Sequence, residues 1–211
     1  MVGRALIEQR LRRPRLPLDP RARALANIVG AASAEFLALI SGPMQHAAVL
    51  LALVEHPAGL NVLFTERAAH LKHHAGQISF PGGRIEPSGE TAVDAALREA
   101  HEEIGLKPQD VAIAGALDAH VTGTGFSVTP VVGFITGPFA ARPDPAEVTG
   151  VFEVPLRHFL APDTVQQTYR ERLGSRFRSY EFHHEDRVIW GATAAILVTF
   201  RQLLLEDKTN G

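Results

Sequence analysis

Three glutamates and an arginine crowd one short stretch of this chain, Leu97-Arg98-Glu99-Ala100-His101-Glu102-Glu103-Ile104-Gly105-Leu106. On a helix turning about 100° per residue, Glu99 and Glu103 stand one above the other and Glu102 lies within a turn of both. The three carboxylates then share an arc of about 100°. Like charges at that spacing destabilise a helix by about 0.2–0.5 kcal/mol per pair. Arg98, four residues before Glu102, relieves one pair and cannot neutralise the group. A hard divalent cation can, because Mg2+ and Mn2+ favour carboxylate oxygens and keep coordination positions for water and phosphate. Just upstream, Pro81-Gly82-Gly83 lets backbone approach a ligand closely, and Gly89-Glu90-Thr91 delivers a fourth carboxylate to the helix start.

These residues need elements to position them. Thr91 with Asp94 predicts a capping-box helix start and Gly105 a stop. Val93, Ala96, Leu97, Ala100 and Ile104 give that helix one apolar face. Before it, Ala47–Glu55 and Leu60–Glu66 read as a β-hairpin turning at His56-Pro57-Ala58-Gly59. Residues 67–90 read mostly as loop, with a short strand near Gln77–Phe80. After the helix, strands are expected over Val111–His120, Val128–Ile135 and Val148–Val154, then a polar loop near 157–175. A hairpin follows (Phe177–Phe182, a turn at His184–Asp186, Val188–Trp190), and then a closing helix over Gly191–Leu205. Ahead of all this, Pro14, Pro17 and Pro20 break an arm, and a helix is expected through Ala22–Ala32. Mixed strands with one central and one terminal helix predict an α/β layered domain over 45–211, preceded by an arm and helix over 1–44.

Bulk properties narrow the function. The chain has 211 residues, 45% hydrophobic and 21% charged. At that length a domain buries roughly 70% of its unfolded surface and needs no covalent staples. Cysteine is absent, which removes disulfides and thiolate metal sites and fits a reducing cytoplasm. A formal charge of −2 argues against a nucleic-acid or acidic-membrane partner, so an anionic small-molecule substrate must be held by local cations. The longest apolar run, Ala47 to Val54, is too short to span a bilayer, and the arginine-rich first 25 residues contain no apolar segment of secretory length.

The central stretch resembles the Nudix box, G-x5-E-x7-R-E-U-x-E-E-x-G-U with U apolar. From Glu90 onward the fit is complete, through Arg98-Glu99, Ala100, Glu102-Glu103, Gly105 and Leu106. Between Gly83 and Glu90 stand six residues instead of five. The resemblance implies a Nudix α/β/α sandwich with a mixed central sheet, a catalytic loop-helix-loop and a C-terminal helix. It also implies a Mg2+- or Mn2+-dependent pyrophosphohydrolase in which Glu99, Glu103 and Glu102 bind metal and Arg98 belongs to the catalytic set. Glu102 is one candidate for the general base, and Glu147 or Glu153 is another.

A second signature lies upstream. Arg67-Ala68, Gly76 and Phe80-Pro81-Gly82-Gly83 are in register with the motif of coenzyme A pyrophosphatases, L-L-T-x-R-[SA]-x3-R-x3-G-x3-F-P-G-G. Lys72 stands at an arginine position and Phe64 at a leucine. This resemblance implies substrate binding by Arg67, Lys72, Gly82 and Gly83, with Arg84 a weaker cation. Competing expectations are a Nudix enzyme for ADP-ribose or another nucleoside diphosphate derivative, and a non-catalytic Nudix-fold nucleotide sensor. Three histidines, His70, His73 and His74, lack a fourth ligand and read as surface residues. Phe126 and Trp190 read as core, or as platforms for adenine, and the closing helix as a packing face or part of a homodimer contact. Lysine retains the charge of the motif's arginine but not its bidentate fork. Lys72→Ala is therefore expected to raise KM for coenzyme A more than it changes kcat, as steady-state kinetics would show.

Overall fold

The apolar run at 47–54 becomes the middle of a strand buried on both faces, and the rest of the chain is arranged around it. The computed structural model describes residues 2–12, 19–70 and 76–206. Its helices are α1 (Arg4–Arg12), α2 (Pro20–Ala26), α3 (Ala34–Ser41), α4 (Ala92–Ile104), α5 (Leu156–Leu160) and α6 (Gly191–Leu205). The strands are β1 (Gln45–His56), β2 (Gly59–Arg67), β3 (Ile78–Ser79), β4 (Gly82–Arg84), β5 (Val111–Ala116), β6 (His120–Val121), β7 (Phe126–Ile135), β8 (Val148–Pro155), β9 (Val165–Arg172), β10 (Ser175–His184) and β11 (Arg187–Trp190).

The central sheet runs β3-β2-β1-β7-β5, with β4 added to β1, β6 to β7 and β8 to β2. It is mixed: β1 and β7 are parallel from Gln45↔Phe126 to Val54↔Ile135, while β1 and β2 form the expected antiparallel hairpin. A parallel pair must be covered on both faces, which is why β1 reads as a continuous apolar run. One face packs Ala48, Leu50, Ala52 and Leu63 against Ala95, Ala96, Ala100 and Ile104 of α4. The other packs Leu51, Leu53, Val62 and Phe64 against Phe159, Leu197, Phe200 and Ile7, so α1, α5 and α6 share that side. The fold is the α/β/α sandwich the sequence predicts, with α6 as the C-terminal helix.

Helix α4 is built as its residues dictate. Thr91 Oγ1 accepts the Asp94 N–H and Asp94 returns a bond from the Thr91 N–H, closing the capping box. Gly105 adopts φ 71 and its N–H donates to the His101 carbonyl at 2.9 Å, a left-handed stop that favours glycine. Ala95, outside the expected apolar face, is fully buried with Ala96 and Ala100, whereas Val93 and Leu97 are only partly buried. The three alanines set the helix close to β1.

Four expectations need correction. The first helix after the arm stops at Ala26 instead of Ala32, because Asn27 to Val29 leave it to bond β10: the Arg178 N–H donates to the Asn27 carbonyl and the Val29 N–H to the Arg176 carbonyl, each at 2.8 Å. A separate helix, α3, follows, capped by Ser33. The stretch 157–175 is not a loop but holds α5 and β9. Strand β9, Val165-Gln166-Gln167-Thr168-Tyr169-Arg170-Glu171-Arg172, is the mostly exposed outer strand of a second sheet ordered β11-β10-β9. It carries little apolar alternation, and most of its residues are exposed. The expected strand over 111–120 divides into β5 and β6, with an irregular register between Ile113 and Gly115. Finally, Gly82–Arg84 is a short strand pairing with Ala47–Val49, where a loop was expected.

The N-terminal elements are tied to the rest: Ile7 is fully buried, and Arg23 of α2 bonds Asp118 and Thr199 at 2.9 Å each. Among the described residues no helix is long and apolar enough to cross a membrane. Thr91→Ala removes the capping-box oxygen and is expected to cost about 1 kcal/mol of stability, readable as a lowered denaturation midpoint.

Candidate active site

Glu103 is a carboxylic acid on the buried side of α4, with only 2% of its side chain exposed. The Gly82 N–H donates to its Oε2 at 3.1 Å, and Arg67 Nη1, at the end of β2, stands 3.5 Å from its Oε1. Burial pushes its pKa up to about 7. The Gly82 bond and Arg67 oppose that rise, and the negative charges of Glu99 and Glu147 reinforce it. Glu99 is shifted upward as well, first by burial, with Arg98 opposing and Glu102 and Glu147 adding to it.

Strand β4 is made of glycines for a steric reason. A Cβ on Gly82 would meet the Ala48 carbonyl and sit 2.6 Å from Val49 Cα; one on Gly83 would run into the Glu99 carboxylate. The two glycines expected to touch substrate thus hold the acids directly: one donates its N–H to Glu103, the other leaves room for Glu99.

Arg98 organises the exposed side. Its Nε and Nη2 reach the two oxygens of Glu90 at 2.8 and 3.2 Å, Nη2 also donates to the Arg84 carbonyl, and Nη1 reaches Glu99 and Glu102 at 3.0 and 3.1 Å. The Glu90 bonds are the largest cause of a raised Arg98 pKa, so the guanidinium stays charged. The Glu86 N–H closes the Glu90 contact at 2.7 Å. Despite the extra residue before it, Glu90 therefore meets Arg98, and Pro87, Ser88 and Gly89 absorb the insertion in an exposed turn.

The acids are not grouped quite as their spacing suggests. Glu102 is 57% exposed and sits on Arg98. The charge that acts on both Glu99 and Glu103 is that of Glu147, from the segment just before β8, whose carbonyl accepts the Ala68 N–H at 2.8 Å. Helical spacing cannot reveal Glu147, which arrives from 44 residues downstream of Glu103. Glu153 points elsewhere, bonded to His56 and Asn61. Among the described residues no three His, Asp or Glu side chains converge as a ready-made cation cage. The donors at hand are nonetheless all carboxylate oxygens around one buried acid, a set that fits a hard divalent ion and not a soft one. Lys72, His73 and His74 lie outside the described residues. His70 bonds the Ala146 carbonyl at 3.1 Å.

Comparison with known proteins agrees with this architecture. The NUDIX domain model matches residues 44–193. The chain is 37% identical over 158 residues to an uncharacterized Nudix hydrolase, NudL, of Photorhabdus laumondii, covering 75% of this chain and 84% of that protein. It is 40% identical over 162 residues to NudL of Salmonella paratyphi B, covering 77% and 82%. A solved Nudix hydrolase of M. smegmatis, RenU, aligns over 55% of this chain and 73% of its own, with 26% identity and a TM-score of 0.47. This chain belongs to the Nudix family. Within it the chain is a Nudix hydrolase, a pyrophosphohydrolase by class.

The raised Glu103 pKa has a signed consequence for the metal-free protein. Below pH about 4.5 the acid is neutral both folded and unfolded, and contributes no difference. Between about 4.5 and 7 the unfolded chain ionises while the folded one does not, so stability falls by roughly 3 kcal/mol and then levels off. Glu103→Gln keeps an oxygen for the Gly82 N–H and removes this penalty. Denaturation of metal-free protein is expected to show the variant more stable than the parent at pH 8 and equal to it at pH 4, with turnover nearly abolished.

Proposed function

We propose that this protein hydrolyses the pyrophosphate of coenzyme A or its derivatives, releasing 3′,5′-ADP and 4′-phosphopantetheine or its acylated form. The observation that carries the reading is the buried Glu103 carboxylate, flanked by Arg67 and the Gly82 N–H, at the junction of the two signatures. Arg67-Ala68 and Phe80-Pro81-Gly82-Gly83 match the coenzyme A motif in one register, and in the folded chain both ends of that motif touch the same acid of the Nudix box.

We assign Mg2+ or Mn2+ to Glu99 and Glu103, with Glu102 as the third ligand. The bound ion would polarise phosphoryl oxygens and lower the pKa of the attacking water. The chain's own residues do the rest. Arg67 sets a positive charge beside Glu103, placed to hold a phosphate oxygen once the acid's own charge is compensated. Gly82 and Gly83 bring backbone within reach of the diphosphate without side-chain obstruction. Arg98 holds Glu99 and Glu102 in orientation and is itself fixed by Glu90. For the proton of the attacking water the carboxylate outside the ligand set is the exposed Glu147, which acts electrostatically on Glu99 and Glu103; Glu102 takes that role instead where the ion is held by Glu99 and Glu103 alone. Glu153 is withdrawn from that role by its bonds to His56 and Asn61.

Incubating the purified protein with coenzyme A and Mn2+ and reading the products by mass spectrometry tests the substrate. Masses of 3′,5′-ADP and 4′-phosphopantetheine are expected. Cleavage of ADP-ribose under the same conditions with coenzyme A left intact would overturn the assignment.

A further inference from the structure

Two arginines press on one turn from different sides. Arg84 ends β4, directly after Gly83, and its Cζ lies 5.4 Å from the centroid of the Phe126 ring. Arg172 ends β9 in the second sheet and lies across Gly123; a Cβ built on that glycine would stand 2.7 Å from Arg172 Cδ and 3.2 Å from its Nε. Both residues are exposed. Among the described residues neither has a carboxylate within 4.0 Å, whereas Arg67, Arg98 and Arg170 each have one. The turn between β6 and β7 that they flank carries two hydroxyls 2.8 Å apart, Thr122 Oγ1 and Thr124 Oγ1. Thr122 already accepts the Phe126 N–H at 3.1 Å, and Thr124 is exposed.

Arg84 and Arg172 approach the same connection three residues apart, at Phe126 and at Gly123. Here the fold holds them in place: Arg84 by its register opposite Ala47 and by the Phe126 face, Arg172 by the absence of a side chain at Gly123. A guanidinium lying on a ring or on bare backbone keeps its N–H edge free for a planar or tetrahedral oxyanion, and hydroxyl donors beside it suit phosphate.

Location points the same way. Side chains alternate along β4, so Arg84 lies on the opposite side of the strand from Gly83 and Glu99. Its partners Ala47 and Phe126 belong to the core under α6. An anion there is one residue along the strand from the acids of α4 and on the other face of the sheet. A nucleotide wrapping the strand end would present one phosphate group to each face.

We propose that Arg84 and Arg172, with the Thr122–Thr124 turn, form a second anion site that takes a phosphate monoester on the nucleotide half of the substrate. This rests on the coenzyme A reading, under which the group is the 3′-phosphate of the ribose. The site makes the enzyme select 3′-phosphorylated diphosphates over their dephosphorylated counterparts.

The test is the ratio of kcat/KM for coenzyme A to that for 3′-dephospho-coenzyme A. Losing one charge-assisted contact is expected to lower that ratio about tenfold in Arg172→Gln, through KM. Gly123→Ala, which displaces Arg172 without removing its charge, is expected to lower it in the same direction. An unchanged ratio in both variants, or an equal loss on both substrates, overturns the proposal. If the parent protein leaves coenzyme A intact, the substrate reading fails by itself, and the anion site is decided by calorimetry with 3′,5′-ADP and 5′-AMP. Tighter binding of 3′,5′-ADP, lost in Arg172→Gln, sustains the site; equal binding of the two nucleotides removes it.

Discussion

The structure depends on one electrostatic constraint: a carboxylate is buried between a helix and a sheet, with two neighbours that favour its charge and two acids that oppose it. Glu103 has a backbone N–H at one oxygen and a guanidinium near the other, and still its proton affinity rises. Burial of charge costs more than these two contacts return. Under the proposed function a divalent cation would offset this cost, which is how a packing detail would be linked to phosphoryl chemistry.

From this follow the small residues around it. The alanines of α4 let the helix sit close to β1, and the glycines of β4 let a third layer of backbone enter the same space. A larger residue at either place would separate the acids from the sheet end. Arg98 balances the opposite side, holding Glu90, Glu99 and Glu102 with one guanidinium. Glu90, Glu99 and Glu102 thus share a counter-charge, while Glu103 has only the longer contact with Arg67. Burial raises the proton affinity of both Glu99 and Glu103, and only Glu99 has Arg98 in direct contact to oppose it.

The second sheet matters for a different reason. It sends Phe182 and Ile189 into the core under α6 and is braced by the N-terminal segment through Asn27 and Val29. Its β9–β10 end brings Arg172 onto the β6–β7 turn, where Arg84 arrives from the box strand. The proposed anion site thus draws on both layers, Arg84 from the central sheet and Arg172 from the second.

The central helix, its caps, the β1–β2 hairpin, the terminal hairpin and the closing helix were all legible in the sequence, because each is fixed by local periodicity, by turn chemistry or by a glycine stop. The acidic arc was legible for the same reason, since spacing along one helix determines which side chains share a face. Other features were decided only by tertiary contact. Strand β9 is mostly polar and becomes a strand because β10 offers it an edge. Strand β4 is two glycines and an arginine, and pairs because β1 passes alongside. The charge of Glu147 reaches Glu99 and Glu103 from a distant segment, and Arg84 and Arg172 approach one connection from two sheets. Local sequence encodes what neighbours along the chain can settle. Groups brought together by long-range packing carry no periodic trace, and only the folded chain reveals them.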